Sequence, residues 1–202
     1  MRMHVNPASP FARKVRIVAR EAGLTQPPEE LDMAVSPVAP NADLAGANPL
    51  VKIPALVLDD GSTLYDSRVI AEYLDALGSG RLFPASGPER WNALRLQALC
   101  DGILDAAVLT RYETAVRPQP LRWSDWIAGQ RRKIDGGLTA LEREHGAWND
   151  RFGIGQIGAA CVLGYLDFRF SDIDWRASHP GLKAWFARVS ERSSVRATMP
   201  RA

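Results

Sequence analysis

The sequence predicts an α/β part followed by an all-α helical-bundle part, on three observations. Short strand-like runs alternate with helical periods over residues 1–78, chain-breakers crowd residues 79–87, and strand signals vanish over residues 88–202. The expected organisation is therefore an α/β domain over 1–78, a linker over 79–87 and an all-helical domain over 88–202.

Met3 to Val5 reads as a first strand, and Phe11, Val15, Val18 and Ala22 recur at helical spacing before Gly23 stops the run. Leu31, Met33 and Val35 alternate as a second strand, after which Pro37, Pro40, Asn41 and Gly46 mark irregular chain with room for a short helix. Ala55 to Leu58 and Thr63 to Tyr65 form a hairpin around the turn Asp59-Asp60-Gly61. Ile70, Tyr73, Leu74 and Leu77 then line one face of a helix, completing the order βαβ and then ββα. Gly78, Ser79, Gly80, Pro84, Ser86, Gly87 and Pro88 break the pattern. Helical periods follow over Trp91 to about Val116, Ser124 to about Glu144, Gln156 to Phe170 and Gly181 to about Glu191.

Composition narrows the function classes. Of 202 residues, 46% are hydrophobic and 24% charged, globular values, and no run approaches the roughly 18 apolar residues of a membrane span. Met1 to Pro10 carries no secretory pattern, so the expected location is cytoplasmic, without membrane association. A formal charge of +2 is too small to argue for a nucleic-acid partner. Arg13, Lys14, Arg16 and Arg20 crowd one helix and Arg131, Arg132 and Lys133 another; both clusters read as solvated helix faces. Cys100 and Cys161 lie far apart with no metal-ligand spacing and read as buried, reduced thiols. There is no repeat and no Gly-rich phosphate loop.

The chemistry-bearing pattern begins at Ser9-Pro10-Phe11-Ala12, at a strand-to-helix junction. Serine is a favoured N-cap and proline is favoured at the first helical position, which by itself accounts for both residues. The same helix N-terminus carries roughly half a positive charge, which attracts an anion such as a thiolate. A serine-protease mechanism does not fit, because no recognisable motif brings His4, His145 or His179 to Ser9.

This segment resembles the thioredoxin-like glutathione proteins, whose redox members carry Cys-Pro-aromatic-Cys here; Ser9 stands in place of the first cysteine and Ala12 of the second. Asn48-Pro49-Leu50-Val51-Lys52-Ile53-Pro54 looks like the segment ending in a cis-proline in that family. Asp66-Ser67 resembles its acidic-serine pair, although either residue also suits a helix cap. Gln156 to Arg169 resembles the family's buried helix, with Gly153 and Gln156 where relatives have a Ser or Thr cap and an Asp. His179-Pro180-Gly181-Leu182-Lys183-Ala184-Trp185-Phe186 resembles its closing helix, so the likeness to serine-type cytosolic glutathione transferases spans nearly the whole chain.

The resemblance implies a thioredoxin-like N-terminal domain and assigns roles. Ser9 is the catalytic residue, a hydrogen-bond donor that stabilises the glutathione thiolate and not a nucleophile. Lowering a thiol pKa of about 8.5 by two units corresponds to about 2.7 kcal/mol, within reach of one charge-assisted hydrogen bond at roughly 1.5 to 3 kcal/mol plus the helix dipole. Glutathione, as co-substrate, is held by Phe11, Lys52, Ile53, Pro54, Asp66 and Ser67: Ile53 pairs with its backbone, Lys52 with a carboxylate, and Asp66 and Ser67 with the γ-glutamyl end. Lys52 equally suits a solvated surface lysine.

In the helical part, Asp101 and Asp105 share a helix face without a third ligand, so no metal is expected. In related proteins an acid on this helix approaches the glutathione ammonium; a cap or a buried hydrogen bond accounts for either residue equally well. Val108, Leu109 and Tyr112 are candidates for a hydrophobic substrate pocket, with core packing as the alternative. The expected activity is conjugation of glutathione to a small hydrophobic electrophile by a homodimer. The alternatives left open are a non-catalytic glutathione-binding or regulatory module and a glutathione-dependent isomerase or dehalogenase. The doubled serine of the isomerase branch is absent, since Ala8 precedes Ser9.

Overall fold

The computed structural model describes residues 1–201, which form two compact units: Met1–Arg90 together with the chain from Ser193 onward, and Trp91–Arg192. The fold class is the one expected, a small mixed sheet with helices followed by a helical region.

Unit 1 contains β1 (Arg2–Val5), α1 (Pro10–Glu21), β2 (Glu29–Asp32), α2 (Ala42–Ala47), β3 (Ala55–Val57), β4 (Thr63–Leu64) and α3 (Ser67–Leu77). The strand order is β2-β1-β3-β4. β1 pairs parallel with β2, as a strand–helix–strand crossover requires, and antiparallel with β3, which pairs antiparallel with β4. β2 starts and ends earlier than the apolar alternation of Leu31, Met33 and Val35 suggests. Its extent is set by the four residues of β1, with Arg2 opposite Glu29 and Val5 opposite Asp32; a last bond from Met33 N to Val5 O (2.8 Å) closes the ladder. Alternation reports side-chain facing, whereas strand length depends on the neighbour's backbone.

Val15, Ile17 and Val18 of α1 and Ile70, Ala71 and Leu74 of α3 are buried, and the two helices pack together. At their far end Gly78 caps α3 against the last turn of α1, where Ser79 N donates to Ala22 O (2.9 Å). A Cβ on Gly78 would lie 2.4 Å from Ala22 O, so the approach needs glycine. The chain after α3 is fixed by the buried Asp75 carboxylate, which accepts the amides of Arg81 (3.1 Å), Leu82 (3.1 Å) and Phe83 (3.0 Å). Nothing in the apolar spacing marked Asp75 for this role.

The basic cluster on α1 is not a solvated face. Arg13 is 1% exposed, Lys14 0% and Arg16 8%; of the four only Arg20 is exposed. α9 (Ser193–Arg196) and Met199 lie over α1: Arg13 Nη2 donates to Val195 O (3.3 Å) and reaches Met199 Sδ (3.4 Å), and Ser194 Oγ donates to the Glu21 carboxylate. Arg16 pairs with Glu30 of β2 at 2.8 Å. A charge-rich helix surface reads as solvated until a distant segment covers it.

Unit 2 holds α4 (Gly87–Ala115) beyond its first turn, α5 (Ser124–Glu144), α6 (Ile154–Arg169), α7 (Trp175–Ser178) and α8 (Pro180–Ser190). Every residue of α6 from Ile154 to Leu166 is buried, as befits a helix apolar on all sides. Gly153 caps it and Gln156 Oε1 accepts the Gly153 amide at 3.1 Å, so the glutamine reaches back as its position predicts. At the other end Asp167 accepts from Trp175 Nε1 (2.8 Å) and from the Arg176 guanidinium (Nη2, 2.7 Å). Glu142 of α5 caps α8 through the amides of Gly181 and Leu182, both at 2.8 Å. Cys100 and Cys161 are buried and form no disulfide. Among the described residues no helix is long and apolar enough to cross a membrane.

Candidate functional site

Strand directions gather three chain junctions of unit 1. β1 and β4 both run antiparallel to β3, so they are parallel to each other and end on the same side of the sheet. From the end of β1 the chain passes through Asn6 to Ser9 and into α1; from the end of β4 it passes through Tyr65 and Asp66 into α3. β3 begins on that side, since Ala55 faces His4 and Leu56 faces Leu64, so Ile53-Pro54 enters between the two helix starts. The Ile53–Pro54 peptide is cis, as is Tyr65–Asp66.

At the first junction Ser9 is the N-cap of α1, and its Oγ accepts the Ala12 amide at 3.2 Å. Its own amide donates to Asn6 O at 2.9 Å, which fixes the cap. The Ser9 hydroxyl hydrogen has no acceptor among the described residues, and neither has the Phe11 amide. Two donors are thus free at a helix N-terminus with no acid in its first turn. Phe11 is half-buried, its ring centroid 6.0 Å from Lys14 Nζ. Pro10 at N1 removes one amide that would otherwise need a partner.

The second junction is held from behind by Asn48, 2% exposed, whose Nδ2 donates to Lys52 O (2.8 Å) and whose Oδ1 accepts the Leu50 amide (3.0 Å). Val51 N donates to Asn48 O at 2.8 Å. Val51 adopts a φ of 51°, a region that costs a β-branched residue on the order of 1–3 kcal/mol and persists only where neighbours over-determine it. Val35, Val51, Ile53 and Val57 pack on a buried cluster of Leu44, Ala47 and Ala55, which anchors this turn to α2 and β3. The Ile53 amide and carbonyl make no hydrogen bond among the described residues. The exposed Lys52 ammonium likewise has no ion-pair partner among them. Sequence reasoning placed Asn48 within the motif but gave it no role; its one signal was Asn before Pro, a turn-initiating pair.

At the third junction exposed Asp66 caps α3, Oδ1 accepting the Arg68 amide at 2.9 Å, and the buried Ser67 follows at the first helical position. The Ser67 hydroxyl has no partner among the described residues. Ser9, Ile53, Pro54, Asp66 and Ser67 thus share one end of the sheet, with Phe11 and Lys52 immediately beside them in the chain. The arrangement offers free hydroxyls, a free amide–carbonyl pair, one unpaired cation and one carboxylate. It suits a short zwitterionic peptide bearing a thiol or another anion-forming group.

The candidates in the helical part lie on α4 of unit 2, apart from these residues in sequence and in unit. Asp101 is buried and Asp105 exposed, and each has an interaction partner. Val108 and Tyr112 are half-buried and Leu109 is exposed; burial pushes the Tyr112 phenol above its usual range. Among the described residues no three His, Cys, Asp or Glu side chains gather as a metal cluster. His145 and His179 serve the fold, each with Nδ1 on a backbone oxygen, that of Glu142 (2.6 Å) and of Trp175 (3.0 Å).

Comparison with known proteins bears on the family of the chain. Residues 8–77 match the family model for the glutathione S-transferase N-terminal domain and residues 124–188 that for the C-terminal domain. An uncharacterized GST-like protein of Escherichia coli K12, YibF, is 32% identical over 198 residues, 95% of each chain. A glutathione transferase family member of Pseudomonas fluorescens Pf-5, solved with bound glutathione, is 48% identical with a TM-score of 0.96, over 99% of this chain and 98% of that one. A structure from the same organism with bound S-(propanoic acid)-glutathione aligns at 47% identity and a TM-score of 0.91, over 98% of both chains.

Proposed function

We propose, for a chain that belongs to the glutathione transferase family, that it binds glutathione in unit 1 and conjugates it to a small electrophile with an apolar body. The observation that carries this reading is the convergence of three junctions, each with an unpartnered polar group, on one end of the sheet. In this reading the Ser9 hydroxyl and the Phe11 amide donate to the glutathione sulfur. They stabilise the thiolate together with the N-terminal field of α1. Ile53 pairs its free amide and carbonyl with the cysteinyl portion beside Pro54, and Lys52 takes a carboxylate. Asp66 and Ser67 receive the γ-glutamyl end, the acid on its ammonium and the hydroxyl on its carboxylate.

Chemistry then consists of attack by the thiolate on an electrophilic carbon. A sulfur–carbon bond forms, and either a π-electron pair shifts and takes up a proton or a leaving group departs with its pair. The protein's contribution is a larger thiolate population at neutral pH and a fixed approach, not a covalent intermediate. Val108 and Tyr112 of α4 are proposed for the acceptor's apolar body, and Asp101 or Asp105 for the glutathione ammonium. The S-(propanoic acid)-glutathione bound by the Pseudomonas fluorescens relative is a thioether of the kind such a reaction yields. We further propose that the active form is a cytoplasmic homodimer, for which light scattering should return twice the chain mass.

The test pairs calorimetric titration of glutathione with turnover against a panel of generic electrophiles. Micromolar to millimolar binding with turnover supports the reading. Binding without turnover of any electrophile reduces it to a glutathione-binding module, and no binding at millimolar glutathione removes it.

A further inference from the structure

Between β1 and Ser9 the chain runs through Asn6-Pro7-Ala8, and one side chain governs that passage. Asn6 O accepts the Ser9 amide at 2.9 Å and Asn6 Oδ1 accepts the Ala8 amide at 3.0 Å, so residues 6–9 form a closed turn. In the other direction Asn6 Nδ2 donates to Met33 O at 3.1 Å and to Asp32 Oδ1 at 3.3 Å, at the end of β2. Both polar atoms of the carboxamide are thus engaged, one with the turn and one with the sheet.

Pro7 gives the reason a side chain makes the second contact. Val5 O accepts the Met33 amide at 2.8 Å, and in a parallel ladder the Met33 oxygen would next accept the amide of residue 7. Proline has no N–H, so the backbone ladder stops and the Asn6 carboxamide takes up the bond. Among the described residues no other hydrogen bond joins residues 6–9 to the rest of the sheet. The position of Ser9 therefore depends on Asn6 at one end and on α1 at the other, where Ser9 Oγ accepts the Ala12 amide at 3.2 Å. That bond directs the remaining hydroxyl hydrogen away from the helix. A hydrogen bond weakens steeply as its angle closes, so the worth of this donor to a sulfur anion follows the placement of the turn.

We propose that Asn6 is a positioning residue for thiolate stabilisation: without touching glutathione, it holds the turn that aims the Ser9 hydroxyl at the glutathione sulfur. The assignment deepens the glutathione reading and rests on it. Asn6 Oδ1 closes the turn, and Nδ2 fixes the turn to the sheet.

The test measures two quantities on the intact protein: the bound thiol's pKa, from thiolate absorbance of the glutathione complex across a pH series, and the affinity for S-methylglutathione, which has no thiol to ionise. Asn6→Ala should raise the bound thiol's pKa by about 0.5–1 unit, less than Ser9→Gly does, and lower the conjugation rate at neutral pH about 3- to 10-fold. Its affinity for S-methylglutathione should stay within about twofold of the unsubstituted protein's. Asn6→Ser keeps an oxygen for the Ala8 amide and gives up the bond to Met33 O, and should shift the pKa by an intermediate amount. Because Asn6 acts through Ser9, Asn6→Ala introduced into Ser9→Gly should add less than half of the shift it causes alone. A full further shift in that background overturns the proposal. So does an unmoved thiol pKa in both Asn6 variants, whether or not S-methylglutathione binding weakens, since a merely structural role predicts that pattern. In either case a raised pKa in Ser9→Gly leaves the glutathione reading standing. If Ser9→Gly itself leaves the thiol pKa unchanged, the donor role of Ser9 fails and the role of Asn6 falls with it. Should Asn6→Ala not fold, Asn6→Ser alone and in Ser9→Gly decides by the same comparisons.

Discussion

Ser9 has two separable jobs, and substitution at that position can tell them apart. As a cap, its Oγ accepts the Ala12 amide at 3.2 Å, in a half-buried position at the start of a twelve-residue helix. Loss of such a cap to alanine costs about 0.5–2 kcal/mol, whereas glycine at the same place costs only a few tenths. As a donor, its free hydroxyl hydrogen would contribute one charge-assisted bond to the glutathione sulfur, roughly 1.5 to 3 kcal/mol, or about one to two pKa units of the bound thiol. Ser9→Ala should therefore lose stability and raise the bound thiol's pKa; Ser9→Gly should raise the pKa by a similar amount with little loss of capping. Thiolate absorbance of the glutathione complex across a pH series reads the second effect, and urea unfolding of the unliganded protein reads the first. At neutral pH each unit by which the pKa rises lowers the thiolate fraction up to about tenfold, and the conjugation rate with it. An unchanged thiol pKa in both variants would refute the donor role and leave Ser9 a helix cap only.

Three further outcomes follow from the same geometry. Asn48→Ala removes two hydrogen bonds that hold the strained turn before Ile53; it should lower stability by about 1–3 kcal/mol and weaken glutathione binding, while a loss of under half a kcal/mol in urea unfolding would mean the turn holds itself. Gly78→Ala forces a Cβ to 2.4 Å from the Ala22 carbonyl oxygen and should cost about 1–3 kcal/mol, seen as a lowered Tm; an unaltered Tm would show that the junction of α1 and α3 yields freely. Glu113 is held below its usual 4.5, first by the Trp123 amide (2.9 Å) and then by the Arg117 guanidinium (2.7 Å). A depressed folded-state value adds stability above the unfolded-state pKa that is lost as pH falls through the folded one. The stability gap between the unsubstituted protein and Glu113→Gln should therefore be widest near neutrality and shrink below about pH 4.5, and a gap constant from pH 7 to 3 would contradict it.

The sequence by itself determined what is local. Ser9-Pro10 at a helix start, the hairpin turn at Asp59-Asp60-Gly61, the run of chain-breakers near Gly78 and the reach of Gln156 back to Gly153 each depend on residues within a turn or two. Those signals sufficed for the α/β-then-α order, and with the likeness of the motifs they singled out the three junctions around Ser9, Ile53-Pro54 and Asp66-Ser67. Tertiary structure decided what depends on partners distant in the chain. Arg13 is buried where Val195 and Met199, about 180 positions away, cover α1, and no charge pattern on a helix reveals its cover. Asp75 and Asn48 matter because their polar atoms meet backbone amides and carbonyls of loops whose path is set by packing. Local chemistry is encoded by neighbours along the chain. The pairing and desolvation of charges, which give a site its energy and its selectivity, arise only when the fold brings distant groups out of water together.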